Sequence, residues 1–142
     1  MNSVYQTIIG DDGNCFAACL ASLLEIPIDG IPNFHAMHGS GWVLPCCEWL
    51  RPMGLFAVAC QLVDQPSVEL FDKIGAVHIA CGLSHRNTSH ACIYRGKELI
   101  HDPMPRLLAA GQRGLKVIED MTFLAPLHFN YAFRAYMRYL LA

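Results

Sequence analysis

The chain has 142 residues, of which 54% are hydrophobic and 15% are charged. That length suits one domain, and so large an apolar share excludes a disordered chain. The net charge is −2 without a block of basic residues, which argues against nucleic acid as a partner because phosphate binding usually leaves a basic patch. We expect one domain spanning residues 1–142.

The sequence shows no membrane or export signal. No apolar run reaches the ~18 residues needed to cross a bilayer. Residues 1–5 lack the basic head and apolar stretch of a signal peptide. We expect a cytoplasmic protein without a membrane partner, and the sequence leaves the oligomeric state open.

Seven cysteines occur in the chain, an odd number that argues against a disulfide framework. No two of them have CxxC spacing, and the adjacent Cys46 and Cys47 are poor ligands for a tetrahedral zinc site. We therefore expect buried thiols that act as small hydrophobes, with no metal and no cofactor.

The first half of the chain is predicted to be mainly helical. Residues 4–9 indicate a short strand or extended segment, and residues 10–14 form a turn cluster. Apolar residues at helical spacing predict a helix over residues 15–25, with Asn14 as its N-cap. Residues 26–41 are typical of a loop. A second helix is predicted over residues 42–53.

The second half is predicted to be a run of strands, which makes the fold α+β with a sheet packed on the helices. Residues 106–114 indicate a loop or short helix, and residues 127–142 suit either a helix or a strand. The predicted strands and extended segment cover residues 55–63, 76–81, 90–95, 98–102 and 115–124.

Cys15 lies where the polar turn becomes the apolar helix. The thiolate is the nucleophilic form of cysteine, and a helix N-terminus favours negative charge. Gly10 and Gly13 would allow a substrate to approach the backbone closely. Cys15 is therefore a candidate nucleophile, and the alternative is a small core residue at a helix start. Cys19, one turn further on, is interpreted as core.

His90 is the best-placed of the seven histidines to serve as a base, because it opens a predicted strand after a polar turn. A hairpin centred on Gly96 would pair residues whose numbers add to about 192, which places Asp102 opposite His90. A one-residue register slip would undo that pairing. The alternatives are a strand-end histidine and a turn-starting Asp102, while His101 should point to the opposite face.

Two segments resemble short uncharacterised bacterial and phage proteins of papain-like type. They are residues 13–24 with 31–34 (GNCFAACLASLL and IPNF), and residues 90–94 with 100–103 (HACIY and IHDP). The second is also similar to the bacteriocin-leader-processing peptidase domains, which use a Cys, then a His on a strand, then the Asp of an Asp-Pro pair. The resemblance covers roughly residues 4–120.

This resemblance implies a papain-like fold in which Cys15 is the nucleophile, His90 the base and later acid, and Asp102 the residue that orients His90. It also implies an oxyanion hole formed by the Cys15 backbone N–H and an upstream side chain. The leader peptidases carry a Gln several residues before the Cys and a Gly just after it, whereas this chain has Ile9 and Phe16 there. Gln6 and Asn14, with Asp11 as a further competitor, are the oxyanion-hole candidates.

The leading hypothesis is a thiol hydrolase that acts on a peptide or protein substrate through an acyl-enzyme on Cys15. The same triad would serve a glutamine deamidase or an acyl transferase. Residues 26–45 are expected to border the cleft. A second hypothesis is a binding or inhibitory module on the same scaffold, and a third, weaker one is a redox or metal protein. The aromatic residues of the second hypothesis are Trp42, Trp49, Phe129, Tyr131 and Phe133, with ordinary core packing as the alternative.

Overall fold

The computed structural model describes residues 1–61, 69, 72–106 and 111–127. The predicted C-terminal element lies, apart from residue 127, outside the described residues. So do residues 107–110 of the segment predicted as a loop or short helix.

Three α-helices precede the sheet. They are α1 (Cys15–Leu24), α2 (Phe34–His38) and α3 (Val43–Leu50), with short 3₁₀ turns at Ile28–Gly30, Gly39–Gly41 and Arg51–Met53. The two predicted helices are confirmed, and the second ends at Gly54, whose φ of 75° is left-handed. The prediction of a plain loop over residues 26–41 is wrong, because α2 lies within it.

Five strands form one antiparallel sheet in the order β1-β5-β2-β3-β4. The α+β prediction is therefore confirmed. Residues 4–9 are not a strand, since their backbone contact with the region after β4 is one hydrogen bond from Gln6 N to Pro103 O at 2.9 Å. The strands are β1 (Leu55–Gln61), β2 (Val77–Ser84), β3 (Ser89–Arg95), β4 (Glu98–His101) and β5 (Leu115–Pro126).

The main core lies between α1, α3 and one face of the sheet. Leu20 of α1 and Leu50 of α3 are completely buried there, together with Ile79 and Ile93 of the sheet. Alternate sheet residues, among them Cys92, belong to a second, smaller cluster. Truncating a wholly buried leucine typically costs about 2–5 kcal/mol, so the packing holds α1 firmly against β3 and determines where its first residue lies.

Among the described residues, no single helix is long and apolar enough to cross a membrane. Two neighbouring helical segments, Cys15–Leu24 and Ile28–Gly41, reach the required length and hydropathy only when taken together across a 106° bend.

Candidate active site

Cys15 is the first residue of α1 and is half-buried. The preceding Asn14 occupies the predicted N-cap position, where its carbonyl oxygen accepts the N–H of Ala18 at 2.9 Å, but its side chain does not cap the helix. Its Oδ1 instead accepts the backbone N–H groups of Thr7 and Ile8, each at 2.9 Å, and these groups would otherwise lack an acceptor. The first-turn N–H groups of α1 are therefore not capped by Asn14, and they favour negative charge beside Cys15.

Gln6 lies beside the same turn and is only 6% exposed. Its Nε2 donates to Ile8 O at 2.9 Å, and its Oε1 is shielded from solvent and has no hydrogen-bond partner among the described residues. Gly13 allows this close packing, because a Cβ there would come within 2.9 Å of Gly10 O and 3.6 Å of Gln6 Nε2. Gln6 therefore lines the cleft at Cys15, which Asn14 does not.

His90 and Asp102 form a buried pair, with Nε2 and Oδ1 2.8 Å apart and side chains that are 3% and 0% exposed. The predicted contact between them is present, but the register from which it was predicted is wrong. β3 pairs Ile93 with His101 and Tyr94 with Leu99, with an irregularity between the two pairs. Asp102 therefore reaches His90 from just beyond the end of β4, and not from a directly opposed strand position.

Both carboxylate oxygens of Asp102 also accept backbone N–H groups. Met104 N donates to Oδ1 at 2.9 Å, and Gly114 N donates to Oδ2 at 2.8 Å. Burial alone would raise the pKa of Asp102, but the hydrogen bonds from His90, Gly114 and Met104 lower it below its ordinary value. The group is consequently a carboxylate held in one orientation by three donors.

The imidazole of His90 is bonded to Asp102 through Nε2 and lines the same cleft as Cys15. Burial alone would lower the pKa of His90, but interactions with Asp102, Cys15 and Cys92 outweigh burial and raise it above its ordinary value. Because Nε2 donates to the carboxylate, Nδ1 is the nitrogen left to take a proton from a thiol. Cys15, His90 and Asp102 are thus brought together in the order that proton transfer requires.

His101 contacts a different part of the chain. Its Nε2 lies 2.7 Å from Val4 O, and its ring meets the edge of the Tyr5 ring. The interpretation that His101 points away from Asp102 agrees with these contacts, and His101 does not line the cleft at Cys15.

Two further thiols, those of Cys92 and Cys81, lie near the site and were not identified from the sequence as part of it. Cys92 follows His90 by two residues on β3, its sulfur lies within 4.8 Å of a ring nitrogen of His90, and strand alternation was the signal that would have found it. Burial raises the pKa values of Cys92, Cys81 and Cys19, so these groups stay protonated thiols. Cys19 is completely buried, and its interpretation as core is confirmed.

His90, Cys92 and Asp102 each offer a metal-ligand atom, and these atoms lie within 4.8 Å of one another. The donor set fits a metal poorly, because both Asp102 oxygens already accept hydrogen bonds and burial keeps Cys92 protonated. The arrangement is better suited to moving a proton.

A cleft of about 670 Å³ opens over Cys15 and His90. Phe16, His35 and Met104 supply apolar surface, and Asp11, Arg86 and Arg106 supply charge. His35 is the residue of the predicted 26–45 border segment that lines this cleft. Its ring stacks on Trp42, with ring centroids 4.7 Å apart.

The two tryptophans are part of ordinary packing. Trp42 is 8% exposed and meets Phe16 edge-on, while Trp49 meets Phe34 edge-on. Core packing, one of the two interpretations of these residues, is therefore confirmed for this pair. Phe129, Tyr131 and Phe133 lie outside the described residues.

Comparisons with protein-family models, with curated proteins and with solved structures give no significant match for this chain. The chemistry of the site therefore has to follow from its own residues. They are a half-buried thiol at a helix N-terminus, an imidazole on a strand and a carboxylate fixed by three donors.

Proposed function

We propose that this chain is a papain-like thiol hydrolase that cleaves a peptide or amide bond through an acyl-enzyme on Cys15. The observation that carries the proposal is the environment of His90. Its imidazole is bonded to Asp102 at 2.8 Å through Nε2, and it lines the same cleft as the Cys15 thiol, which is large enough for a peptide segment. The reaction uses no cofactor.

In the proposed cycle, His90 Nδ1 takes the proton of the Cys15 thiol, and the sulfur attacks the substrate carbonyl carbon. The tetrahedral intermediate collapses as His90 returns that proton to the leaving amine, which leaves a thioester on Cys15. His90 then deprotonates water, whose oxygen attacks the thioester, and the acid product leaves as the thiol is regenerated. Asp102 stays ionised throughout and stabilises the imidazolium.

Gln6 is the proposed side-chain donor of the oxyanion hole, together with the backbone N–H of Cys15. Its Nε2 uses one hydrogen for Ile8 O and has a second available beside the cleft. Asn14 is a weaker candidate because both ends of its amide are engaged with Thr7 and Ile8. A donor of this kind is typically worth about 3–4 kcal/mol in the transition state.

The papain-like part of the proposal is supported by the elements on which the three site residues lie. The nucleophile begins a buried helix, while the base lies on an antiparallel sheet and its orienting carboxylate just beyond the neighbouring strand. Helix α1 packs against β3, which brings the two parts of the site together.

The first test is alkylation by limiting iodoacetamide between pH 5 and 9, with the modified cysteines mapped by mass spectrometry. At pH 6 we expect Cys15 to react faster than the other cysteines. His90→Ala should slow the reaction of Cys15 at least ~10-fold, since a positioned base typically contributes 10²–10⁴-fold. His101→Ala is the matched control, because this histidine is also buried but bonds to Val4 O. Equal labelling of Cys15 and Cys60 in the native protein, with no effect of His90→Ala, would refute the proposal.

Turnover is tested with a mixture of synthetic peptides whose products are identified by mass. We expect new carboxyl termini with the wild-type protein and none with Cys15→Ala. A covalent acyl adduct on Cys15, trapped at low pH, would identify the side of the bond that stays on the enzyme.

A further inference from the structure

We propose that the substrate of this cleft carries a carboxylate close to the bond that is attacked, and that Arg86, assisted by Arg106, recognises it. The inference rests on the proposed function, since it names the chemical class of substrate for the Cys15 site. Arg86 would act as a specificity-determining residue, with no part in the proton transfers.

The charges that line the cleft favour an anion. The lining of the cleft includes two arginines, Arg86 and Arg106, and one acidic residue, the exposed Asp11. Neither arginine forms an ion pair with any residue in the described part of the chain. The whole chain has a net charge of −2, so the excess of arginine over carboxylate in this cleft is opposite in sign to the charge of the chain.

The turn that carries Arg86 is rigid. Ser84 is completely buried at its start, and its Oγ accepts the N–H groups of Arg86 at 3.2 Å and Thr88 at 3.3 Å. The same hydroxyl lies 2.9 Å from Thr88 Oγ1. Asn87 completes the turn with a left-handed φ of 58°. The turn leads directly into β3 and His90, so Arg86 has a fixed place relative to the proposed base.

The guanidinium of Arg86 is only half used by the protein. Its Nη1 donates to Gln112 O at 3.3 Å, which holds the side chain over the cleft. Its Nη2 is shielded from solvent and makes no hydrogen bond within the described residues. A buried donor of this kind is costly to leave unpaired, and a carboxylate can satisfy two guanidinium nitrogens at once.

A peptide can supply this carboxylate from an acidic side chain or from its C-terminus, and both present the same planar anionic group. Arginine is well suited to both because its planar fork matches the geometry of a carboxylate.

The test compares two alkylating reagents of nearly equal size, iodoacetate, which is an anion, and iodoacetamide, which is neutral. The measured quantity is the ratio of their rates at Cys15, divided by the same ratio for a cysteine in the denatured chain. We expect this ratio to exceed one, and to fall about three- to tenfold in Arg86→Gln, as expected for a unit charge several ångströms away at an intermediate dielectric constant. Arg106→Gln should lower it less, since Arg106 is exposed.

Lys97→Gln is the control for simple loss of positive charge, because Lys97 pairs with Asp72 away from the cleft. Its ratio should match that of the wild type. A wild-type ratio of one or less, or equal ratios in wild type, Arg86→Gln and Arg106→Gln, would overturn the proposal. If Arg86→Gln fails to fold, Arg106→Gln alone decides the outcome.

The two carboxylate sources are separated by protection of Cys15 against iodoacetamide. One probe is an acetylated peptide with a glutamate and an amidated C-terminus, and the other has alanine and a free C-terminus. Protection by either probe that is lost in Arg86→Gln supports the proposal and identifies the source, while protection by neither overturns it. The ratio is measurable even if Cys15 proves unactivated, so failure of the proposed function and failure of this inference are distinguishable.

Discussion

Asp102→Asn removes the charge of the buried pair while keeping the shape of the side chain. In the wild type, three donors point at the two carboxylate oxygens: His90 Nε2, Met104 N and Gly114 N. An asparagine has one acceptor oxygen and one NH₂ group. In either orientation of the amide, at least one of these buried donors faces another donor.

The expected loss of stability can be worked from these contacts. A buried donor without an acceptor costs about 1–3 kcal/mol, and removing one member of a buried ion pair costs about 3–5 kcal/mol. Because the asparagine oxygen keeps part of the hydrogen bonding, we expect a loss near the overlap of these ranges, about 3 kcal/mol. In a domain of this size, such a loss lowers the Tm by roughly 10 °C.

The loss should depend on pH in a defined way. The folded-state pKa of Asp102 lies below its ordinary value of 3.8, so its contribution is complete above pH 3.8 and is lost as the pH falls further. The folded-state pKa of His90 lies above its ordinary value of 6.5, so its contribution is complete below pH 6.5 and is lost as the pH rises towards the folded-state value. The difference between wild type and Asp102→Asn should therefore be largest between these two pH values.

Urea denaturation of both proteins at a series of pH values measures this difference directly. Asp72→Asn is the control, because Asp72 and Lys97 form an exposed pair with 42% and 58% exposed side chains and a separation of 3.6 Å. Exposed pairs of this kind contribute about 0–1 kcal/mol. If Asp102→Asn loses no more stability than Asp72→Asn at pH 5, the inferred hydrogen-bonding role of Asp102 is wrong.

Three further substitutions test the surroundings of the site by urea denaturation. Gly114→Ala should lose about 2–3 kcal/mol of stability, because φ is +79° and the new Cβ would lie 2.7 Å from Tyr94 OH. Gly111→Ala is the control and should lose about 1 kcal/mol, because φ is similar and no atom of the described residues lies within 4 Å of the new Cβ. Equal losses would contradict the steric argument. Burial lowers the pKa of His78, so the free energy of unfolding should decrease as the pH falls below 6.5, where the unfolded chain binds the proton more readily. His78→Phe should make this decrease less steep by up to about 1.4 kcal/mol per pH unit. An unchanged slope would show that His78 does not titrate. Asn14→Ala should lose about 1–3 kcal/mol of stability, because the backbone N–H groups of Thr7 and Ile8 lose the oxygen that accepts them. Asn14→Asp keeps an acceptor oxygen for both groups and should lose less. The reverse order would be inconsistent with these contacts.

Local periodicity was sufficient to predict the two longer helices and the strands, because each depends on residues close together in sequence, whereas the five-residue helix α2 is too short to show a period. The helix from Cys15 and the β3–β4 hairpin about Gly96 are examples. For residues 4–9 the sequence left a short strand or an extended segment open, and the strand is absent for the opposite reason. The backbone partners of this segment are a side chain and a distant loop residue, and neither leaves a periodic signal.

The site was predicted more accurately than the geometry that produces it. Asp102 does contact His90, although an irregularity between Ile93 and Tyr94 shifts the register. Such a bulge has no clear signal in these residues. Arg86 was missed because charged residues in a turn usually face solvent, and the contacts of the buried Ser84 hydroxyl that help to fix this turn leave no signal in the sequence.

The position of β5 in the sheet also bears on when the site can form. β5 lies between β1 and β2, although it is the last strand of the described chain to be synthesised. Pairings between segments so far apart in sequence form slowly, because a long loop must close first. Gly114, which holds Asp102, immediately precedes β5. A nascent chain that ends before β5 therefore contains Cys15, His90 and Asp102 but lacks the strand that closes the sheet. We expect Asp102 to be fully fixed against His90 only after β5 has joined the sheet, because the Gly114 N–H that holds its second oxygen takes its place with that strand.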